Sequence, residues 1–295
     1  MNEEFAIEPT AFTSFEDVRY VLGKFGLHEA RFISSIPSTW VREVYAQLDA
    51  LPDGPAKLSA KEVIRKMVKE RCGIVNGGVT FDPAKTWLNN AIDCGRYFEG
   101  ILVSNETAET APISGGDECR SVDEVDETFF GNTSGTFIKA TVEGFSNIAT
   151  RLIEASHEVF LVDPYMFTKA RIRPSSIDVL KDFIRIGIQG KCKKFVIYTS
   201  YDAAPAYLTT LLEQHFAGCG ASIRVYQVAG NQPVKLHARY LLSMYGGIRF
   251  DKGFQPDGRD EEVTAIGIGN HEALCRQYLD CDHEFNILND IFYQG

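Results

Sequence analysis

The sequence predicts an α/β protein in which a small, mainly helical N-terminal domain precedes a larger domain built on a mixed sheet with flanking helices. Residues 1–103 contain short amphipathic segments separated by glycine and proline. Residues 104–135 are rich in Ser, Thr, Gly, Asp and Glu, which is typical of an acidic linker or loop. Over residues 136–295, apolar runs of strand length alternate with amphipathic segments of helix length, which indicates the second domain.

Two Ser-x-x-acid patterns mark helix starts in the first domain. Ser14 followed by Asp17 resembles an N-cap ahead of FEDVRYVLGKF, and Ser59 with Glu62 forms a capping box ahead of KEVIRKMVKER. Further helices are predicted over TWVREVYAQLDAL and PAKTWLNNAI. Because KEVIRKMVKER is basic, a winged-helix DNA reader is one alternative for this domain. The favoured alternative is that this helix presents a solvated face.

The second domain has the element order of a parallel sheet. The predicted strands EVFLVDPY, KFVIYTS and SIRVYQV are separated by the predicted helices IDVLKDFIRIGI and AYLTTLLEQHFA. Parallel neighbours need long crossover connections, so this order predicts right-handed βαβ units. TFIKATVEGFSNIATRLIEA predicts a helix before them, and LHARYLLS, GIRF, VTAIGIG and EFNIL predict strands after them.

Charge and cysteine content restrict the function. With 40 acidic and 30 basic residues, the net charge of -10 argues against a general nucleic-acid-binding face, so any polyanion must be held in a local site. No apolar run approaches the roughly 18 residues of a membrane-spanning helix. The seven cysteines form no CxxC pair, which predicts reduced thiols, and the N-terminus lacks the features of a secretory signal. We therefore expect a cytoplasmic protein without a membrane span.

The most informative stretch is KLHARYLLSMYGGIRFDKGF, residues 235–254. It places His237 and Arg239 two residues apart on a predicted strand, so their side chains are expected on the same face. Further along, AIGIGN ends with Asn270 after a glycine-bearing turn. DHEFNILND then carries Glu284 at the start of a later strand.

These pieces, in this order, resemble the signature of the phospholipase D-like superfamily, in which H-x-K, four residues and Asp precede a G-x-x-N-like turn and a later carboxylate. The resemblance covers residues 136–295. It departs from the pattern at Arg239, which replaces the lysine, and at Met244, which replaces the aspartate. It implies a phospholipase D-like mixed sheet and a metal-independent phosphodiesterase, with a nuclease as the favoured activity.

The resemblance also implies a mechanism. His237 would attack phosphorus and form a phosphohistidine that water hydrolyses. Arg239 and Asn270 would hold the phosphate oxygens, and Glu284 would fix the imidazole tautomer. The superfamily uses two histidines and this chain has one such motif, so we expect a homodimer. Neither a cofactor nor a metal is expected.

Further residues are expected to line the substrate site. Lys235 is two residues before His237 and would add positive potential to the same face. Asp163 and Tyr165 follow the first predicted parallel strand, and open α/β sheets usually bind ligands at the carboxyl ends of their strands. The sequence therefore places these side chains at the predicted phosphate site.

A second family resemblance gives a different function. LHARYLLSMYGGIRFDKGF is similar to the segment H-D-R-x-I…G-W-x-I-x-x-G-R-G-F/L in the C-terminal domain of eukaryotic MIT-domain proteins, and His283-Glu284 matches their later H-E pair. Those domains share the phospholipase D-like fold and act as binding modules. The resemblance implies a non-catalytic domain that binds a protein partner or an anionic ligand in a defence or signalling complex. A DNA-reading regulator, with the N-terminal helices on DNA, is a third alternative.

Overall fold

The structure is a computed structural model that describes residues 3–76, 79–95, 97–110, 119–126, 128–130, 135–167, 175–200, 203–229, 236, 239–280 and 285–295. The chain divides into two compact units, Asn2–Thr133 and Ser134–Gly295. This division falls inside residues 104–135, the segment predicted to link the two domains. Each unit has its own sheet.

In the residues that the structure describes, the first unit contains a five-stranded sheet. Its strands are β1 (Glu3–Ile7), β2 (Arg31–Ser34), β3 (Ile74–Val75), β4 (Gly100–Val103) and β5 (Cys119–Ser121). Their spatial order is β3-β2-β1-β4-β5, and neighbouring strands run parallel. The prediction of a mainly helical domain is therefore wrong. These short strands are largely buried, and short apolar runs carry too little periodicity to distinguish a strand from a helix.

Helices cover both faces of this sheet. They are α1 (Phe15–Leu22), α2 (Trp40–Asp49), α3 (Pro55–Lys69), α4 (Trp87–Asp93) and α5 (Asn105–Thr110). Phe5 of β1 packs in one core cluster with residues of α1, α2 and α3, whereas Ala6 packs in another with residues of α4 and α5. Successive side chains of a strand point to opposite faces, so these two clusters mark the two sides of the sheet.

The two predicted helix starts have different outcomes. Ser14 Oγ accepts a hydrogen bond from Asp17 N at 3.1 Å, so the predicted N-cap is confirmed. Asp17 Oδ2 also accepts a hydrogen bond from Ser14 N at 2.7 Å, which completes a capping box. Ser59 lies inside α3, which begins at Pro55 instead, so the capping box predicted for Ser59 and Glu62 is wrong. Proline suits this first position because its missing N–H would have no partner within the helix.

The basic residues of α3 form ion pairs with acidic neighbours. Lys61 is paired with Asp49, and Arg65 with both Glu62 and Glu70. The opposite side of the helix packs in the core of a parallel α/β sheet. Lys66 and Lys69 of this helix are exposed, but a helix packed on a parallel sheet is not the architecture of a winged-helix reader. This arrangement agrees with the favoured alternative of a solvated face.

Part of the predicted linker belongs to the first unit. The helix α5 and the strand β5 both lie in residues 104–135, and β5 pairs with β4. Phe129 and Phe130 are buried and pack against Phe5. The linker prediction is therefore wrong for these described residues. The apolar side chains of this segment are scattered among acidic ones, so the sequence pattern does not indicate which residues are buried.

The described part of the second unit contains an eight-stranded mixed sheet with flanking helices. Its strands are β6 (Thr136–Lys139), β7 (Glu158–Val162), β8 (Lys194–Ser200), β9 (Ser222–Val228), β10 (Arg239–Ser243), β11 (Gly246–Phe250), β12 (Asp260–Ala265) and β13 (Ile287–Gln294). The spatial order is β13-β9-β8-β7-β10-β11-β12-β6. β7, β8 and β9 run parallel, as the sequence predicts, and their other neighbours run antiparallel.

The flanking helices are α6 (Val142–Ala155), α7 (Ser176–Gln189), α8 (Pro205–Phe216) and α9 (Ile268–Tyr278). Two segments differ from the prediction. TFIKATVEGFSNIATRLIEA is the strand β6 followed by α6, not one helix. The predicted strand VTAIGIG ends at Ala265, and its last residues begin α9. The glycines at 267 and 269 suggest a turn, which conceals the helix start.

One edge of the mixed sheet collects several strand ends, and we call it the carboxyl edge. β7, β8 and β9 end there. β10 is antiparallel to β7, with Tyr240 opposite Val162, so β10 begins there. Arg239 pairs with Phe250, so β11 ends there and β12 begins there. The 14-residue helices α6 and α7 also start at this edge, because each follows a strand that ends there.

Other properties of the described residues concern membranes, metals and thiols. None of the described helices has the length and apolar character that a bilayer crossing requires. No group of three metal-ligating side chains occurs in the same part of the chain. The six cysteines that the structure describes are free thiols.

Candidate functional site

The predicted site residues fall into two groups. The structure describes Asp163, Tyr165, Arg239 and Asn270, whereas three others lie outside the described residues: Lys235, His237 and Glu284. Asp163, Tyr165 and Arg239 lie together at the carboxyl edge of the mixed sheet. Asn270 does not.

Asp163 directly follows β7 and is buried, with 4% of its surface exposed. Its Oδ1 accepts a hydrogen bond from Tyr165 N at 2.8 Å, and its Oδ2 accepts one from Phe254 N at 3.0 Å. Burial raises the pKa of this carboxyl above its ordinary value, while the two backbone donors and Arg239 act in the opposite direction. Asp163 therefore joins the end of β7 to the turn after β11.

Arg239 begins β10 beside this carboxylate. Its guanidinium lies over the Tyr165 ring, 5.7 Å from the ring centroid, which is within the range of a cation–π contact. Its Nη1 donates to the backbone oxygen of Asp251 at 2.9 Å. Its Nε is enclosed and has no hydrogen-bond partner among the described residues. The guanidinium of Arg239 is thus held in position, and its Nε–H is a donor without a partner among the described residues.

Gly253 sits against both groups. A Cβ atom at this position would lie 2.6 Å from Asp163 Oδ2 and 3.0 Å from Arg239 Cδ. The φ of Gly253 is also +92°, a backbone region that side chains rarely adopt. Only glycine therefore allows the turn after β11 to approach the sheet edge this closely.

A second buried carboxylate holds the same turn from the other side. Glu261 of β12 is 1% exposed, and its Oε1 accepts a hydrogen bond from Lys252 N at 2.7 Å. Burial raises the pKa of Glu261. The Lys252 ammonium donates to the backbone oxygen of Asp260 at 2.7 Å. Asp163 and Glu261 therefore fix the turn Asp251–Phe254, which presents Lys252 at the carboxyl edge.

A cavity of about 270 Å³ opens beside this turn. Its walls include Ala140 and Ser176 at the starts of α6 and α7, together with Tyr165, Lys252 and Arg259. The carboxyl groups of Asp163, Asp257 and Glu261 also line the cavity. The Arg259 guanidinium is paired with Asp257, so Lys252 is the lining cation that forms no ion pair with another described residue. Helix N-termini carry partial positive charge and unpaired N–H groups, so they favour anions.

Asn270 lies elsewhere in this unit. It is in the first turn of α9 and lines a separate cavity of about 300 Å³ with Tyr240 and Arg249. Tyr240 follows Arg239 on β10, so the two side chains point to opposite faces of the sheet. The prediction that Arg239 and Asn270 hold one phosphate together is therefore wrong. β11, the strand after β10, ends beside Arg239. The segment next to Arg239 is therefore the turn Asp251–Phe254 and not Gly267–Asn270.

Met244, which replaces the aspartate of the superfamily pattern, follows the last residue of β10. It is 67% exposed and lies at the edge of the sheet opposite to Arg239. Met244 is five positions after Arg239 in the chain, which corresponds to about 17 Å along a strand. The replacement of aspartate by methionine therefore does not alter the contacts of Arg239.

Sequence reasoning missed Lys252, Gly253 and Glu261. A signal for the first two was present, because DKGF ends the segment that is similar to the MIT-type domain, and Lys252 stands at the arginine of its G-R-G-F pattern. Glu261 gave no such signal. It lies in an acid-rich stretch, residues 257–262, which has the composition of a solvated loop.

Comparison with models of protein families and with curated proteins found no match to this chain. The kind of ligand that this site can bind is therefore inferred from its own side chains and backbone groups. Arg239, Lys252 and two helix N-termini are groups that suit a phosphate or carboxylate ligand. Asp163 and Glu261 accept hydrogen bonds from backbone N–H groups, so in this arrangement they stabilise the turn.

Proposed function

We propose that the C-terminal unit binds a phosphate ester at the carboxyl edge of its mixed sheet and does not turn it over. The observation that carries this proposal is the cavity at which the starts of α6 and α7 meet Lys252, beside the fixed guanidinium of Arg239. The ligand is an anion with several acceptor oxygens, carried by a small molecule or by a protein partner.

The charges at this edge favour a phosphate group. A helix N-terminus stabilises a nearby anion by about 0.3–1 kcal/mol at an exposed site, and two helices start here. Lysine acts as a point charge toward phosphate, and arginine can donate two parallel hydrogen bonds. Three carboxyl groups of the described residues also line the cavity. Burial raises the pKa of Asp163 and Glu261, which favours their uncharged forms, and Asp257 is paired with Arg259.

The set of residues that meet at the carboxyl edge favours binding without turnover. The Asn270 amide, expected to hold the phosphate of a reacting diester, lies on the other face of the sheet. The turn that accompanies Arg239 instead carries Lys252 and Gly253. In the expected resemblance to the binding module, Gly253 stands at a glycine and Lys252 replaces an arginine. A module of this kind would recruit an anionic partner within a defence or signalling complex.

A metal-independent phosphodiesterase, with a nuclease as the favoured activity, is the second candidate. It is favoured by the position of Arg239 at the carboxyl edge, because His237 precedes it by two residues in the chain. In this scheme the imidazole of His237 attacks phosphorus and displaces an alcohol, and water then releases the phosphate from the histidine. A homodimer would supply the second histidine as the acid.

Binding is tested with the full chain and matched variants. Arg239→Gln and Lys252→Gln each remove one cation from the site, and Lys191→Gln removes an exposed lysine beyond the far end of α7. The probes are inorganic phosphate and a short oligonucleotide with or without its 5′-phosphate, measured by calorimetry. We expect a loss of about tenfold in affinity for the phosphorylated probes in the first two variants and no change in the third. Equal affinity in all variants would disprove the site.

Turnover is tested in chelator. We expect no cleavage of bis(p-nitrophenyl) phosphate or of single- and double-stranded oligonucleotides by the wild type in EDTA. If the wild type cleaves one of these substrates in EDTA and His237→Ala does not, the protein is the phosphodiesterase of the second candidate and not a binding module. In that case the oligomeric state of the active protein should be dimeric, and mixing wild type with the variant should lower activity more than dilution alone.

A further inference from the structure

The first unit has a cavity at the point where its sheet changes direction. The chain goes from β1 outward through β2 to β3, then returns to β4 on the other side of β1. The helices α1 to α3 lie on one face, and α4 and α5 lie on the other. The loops after β1 and β4 therefore diverge, and open α/β sheets characteristically bind ligands in the crevice that this divergence creates.

A cavity of about 360 Å³ occupies this crevice. The loop after β1 contributes Thr10 and Thr13 to its lining, and the start of α5 contributes Glu106. The other polar lining residues are Gln47 of α2, Ser104, Asn105, Ser121 and Asp123. This volume lies within the usual range of small-molecule sites.

The two loops are joined by a buried carboxylate. Glu8 is 8% exposed and directly follows β1. Its Oε2 accepts a hydrogen bond from Ser104 N at 2.7 Å, and its Oε1 accepts one from Thr107 Oγ1 at 3.0 Å. This contact fixes the loop after β4 against the end of β1. The cavity is therefore preformed, which lowers the entropy lost on binding.

The lining has hydrogen-bonding groups of a particular kind. It contains hydroxyls, amides and the carboxylates of Glu106 and Asp123, and no lysine, arginine or histidine is among its described residues. The Asp123 carboxylate accepts a hydrogen bond from Asn105 Nδ2 at 2.5 Å. The side chains of Gln47 and Glu106 make no hydrogen bond with another described residue. Both therefore have capacity for a ligand.

We propose that this cavity binds a neutral ligand with vicinal hydroxyl groups, of the nucleoside or sugar class. Carboxylates and amides accept hydrogen bonds from such hydroxyls, as an acidic residue does from a ribose in dinucleotide-binding sheets. The same carboxylates, with no cation beside them, repel a phosphate. This site is thus the chemical opposite of the cationic edge in the second unit, and the proposal is independent of the function proposed there.

The test uses the full chain and three probes: adenosine, D-ribose and adenosine 5′-monophosphate. Calorimetry or ligand-observed NMR at low ionic strength should give binding of adenosine or ribose. The monophosphate should bind at least about tenfold more weakly than adenosine, because its charge faces Glu106 and Asp123. Affinity for ribose close to that for adenosine identifies a sugar site, and a clear preference for adenosine identifies a nucleoside site.

Variants locate the site. Glu106→Gln and Gln47→Ala each alter one lining side chain and should weaken binding of the neutral probe by about tenfold. Glu109→Gln changes the same charge on α5 but lies outside the lining, and it should leave affinity unchanged. The proposal is overturned by absence of binding up to about 10 mM of both neutral probes, by tighter binding of the monophosphate, or by equal affinity in all three variants.

Discussion

The carboxylate of Asp163 accepts a hydrogen bond from the backbone N–H of Phe254, 91 residues further along the chain, with an O–N distance of 3.0 Å. This contact joins the end of β7 to the turn after β11 and places Lys252 and Gly253 beside Arg239. The same carboxylate also accepts a hydrogen bond from Tyr165 N. The geometry of the carboxyl edge therefore depends on this buried acid, together with Glu261, which holds Lys252 N.

We expect Asp163→Asn to destabilise the second unit by about 1–3 kcal/mol at neutral pH. Asparagine has one acceptor oxygen, so one of the two N–H groups now bonded to Asp163 loses its partner in a buried place. The chain's two tryptophans, Trp40 and Trp87, lie in the first unit, so unfolding is followed by far-UV circular dichroism. Amide exchange at Phe254 and Tyr165 should also become faster. Unchanged exchange at both amides would contradict the role of Asp163.

The difference in stability between wild type and Asp163→Asn is expected to depend on pH. Burial raises the pKa of Asp163 above its ordinary value of 3.8, so the folded state holds its proton more tightly than the unfolded state. The carboxyl's contribution to stability is full below pH 3.8 and is lost as the pH rises through the raised pKa. The stability difference between wild type and Asp163→Asn should therefore narrow as the pH rises above 3.8. A difference that widens would contradict the raised pKa.

Gly253→Ala should destabilise the second unit and weaken phosphate binding. The added Cβ would meet Asp163 Oδ2 at 2.6 Å and Arg239 Cδ at 3.0 Å, and the backbone has a positive φ. Gly218→Ala is the matched control, because Gly218 has a φ of +70° with nothing within 4 Å of the added atom and does not line the cavity. We expect about 1 kcal/mol for the control and at least about twice that for Gly253→Ala.

Urea unfolding measures both variants, and titration with inorganic phosphate measures their affinity. The control should keep wild-type affinity, because it removes only backbone freedom at a distance from Arg239. Equal losses of stability in the two variants would mean that the contacts of Gly253 with Asp163 and Arg239 are unimportant.

The fold of the second unit was predictable because its parallel strands and their helices are long enough to show a period. β8 and β9 have seven residues each and α7 has fourteen. In the first unit, β3 has two residues and β5 has the sequence CRS. Such strands are specified by their neighbours in the sheet and not by their own side chains, so local patterns predicted only the helices around them.

The candidate site was predictable to a similar extent. Asp163, Tyr165 and Arg239 were expected together because parallel strands end at one edge. Lys252 and Glu261 meet only because β11 and β12 pair in one particular register, with Phe250 opposite Val263. No local pattern specifies that register. β12 begins at the carboxyl edge and runs away from it, so Asn270 follows the opposite end of this strand and not the edge at which the motif alone had placed it.

His271 of α9 provides a test of the second unit at acidic pH. It is 3% exposed, and its Nε2 lies 2.7 Å from the backbone oxygen of Ser243, the last residue of β10. A neutral imidazole can donate its N–H to this oxygen. Burial lowers the pKa of His271 below its ordinary value of 6.5. Its contribution to stability is therefore present above pH 6.5 and is lost as the pH falls through the lowered pKa.

His271→Leu should cost about 1–3 kcal/mol at pH 7.5, because the Ser243 oxygen loses a donor in a buried place. The difference from wild type should shrink as the pH falls below 6.5, since wild type must then bury a charge or unfold. Urea unfolding followed by circular dichroism measures it, with His157→Leu, at an exposed histidine directly before β7, as the control. A difference that stays constant with pH would contradict the lowered pKa.

Trp40 controls the end of β1 in the first unit. It is fully buried, and its Nε1 donates to the backbone oxygen of Ile7 at 2.6 Å, immediately before Glu8. Trp40→Phe removes that donor and leaves a space where the larger ring packed. We expect a loss of about 2–4 kcal/mol in the unfolding free energy of this unit. The fluorescence of Trp87, which remains in the same unit, reports the transition.

The same substitution connects stability to the proposed nucleoside or sugar site. The Ile7 oxygen and the Glu8 carboxylate are adjacent in the chain, so loosening the first should loosen the loop that the second holds against Ser104. Affinity for adenosine or ribose should therefore fall in Trp40→Phe even at temperatures where the unit stays folded. Phosphate binding by the second unit should be unaffected. If adenosine and ribose affinities are unchanged while stability falls, the end of β1 does not shape the cavity.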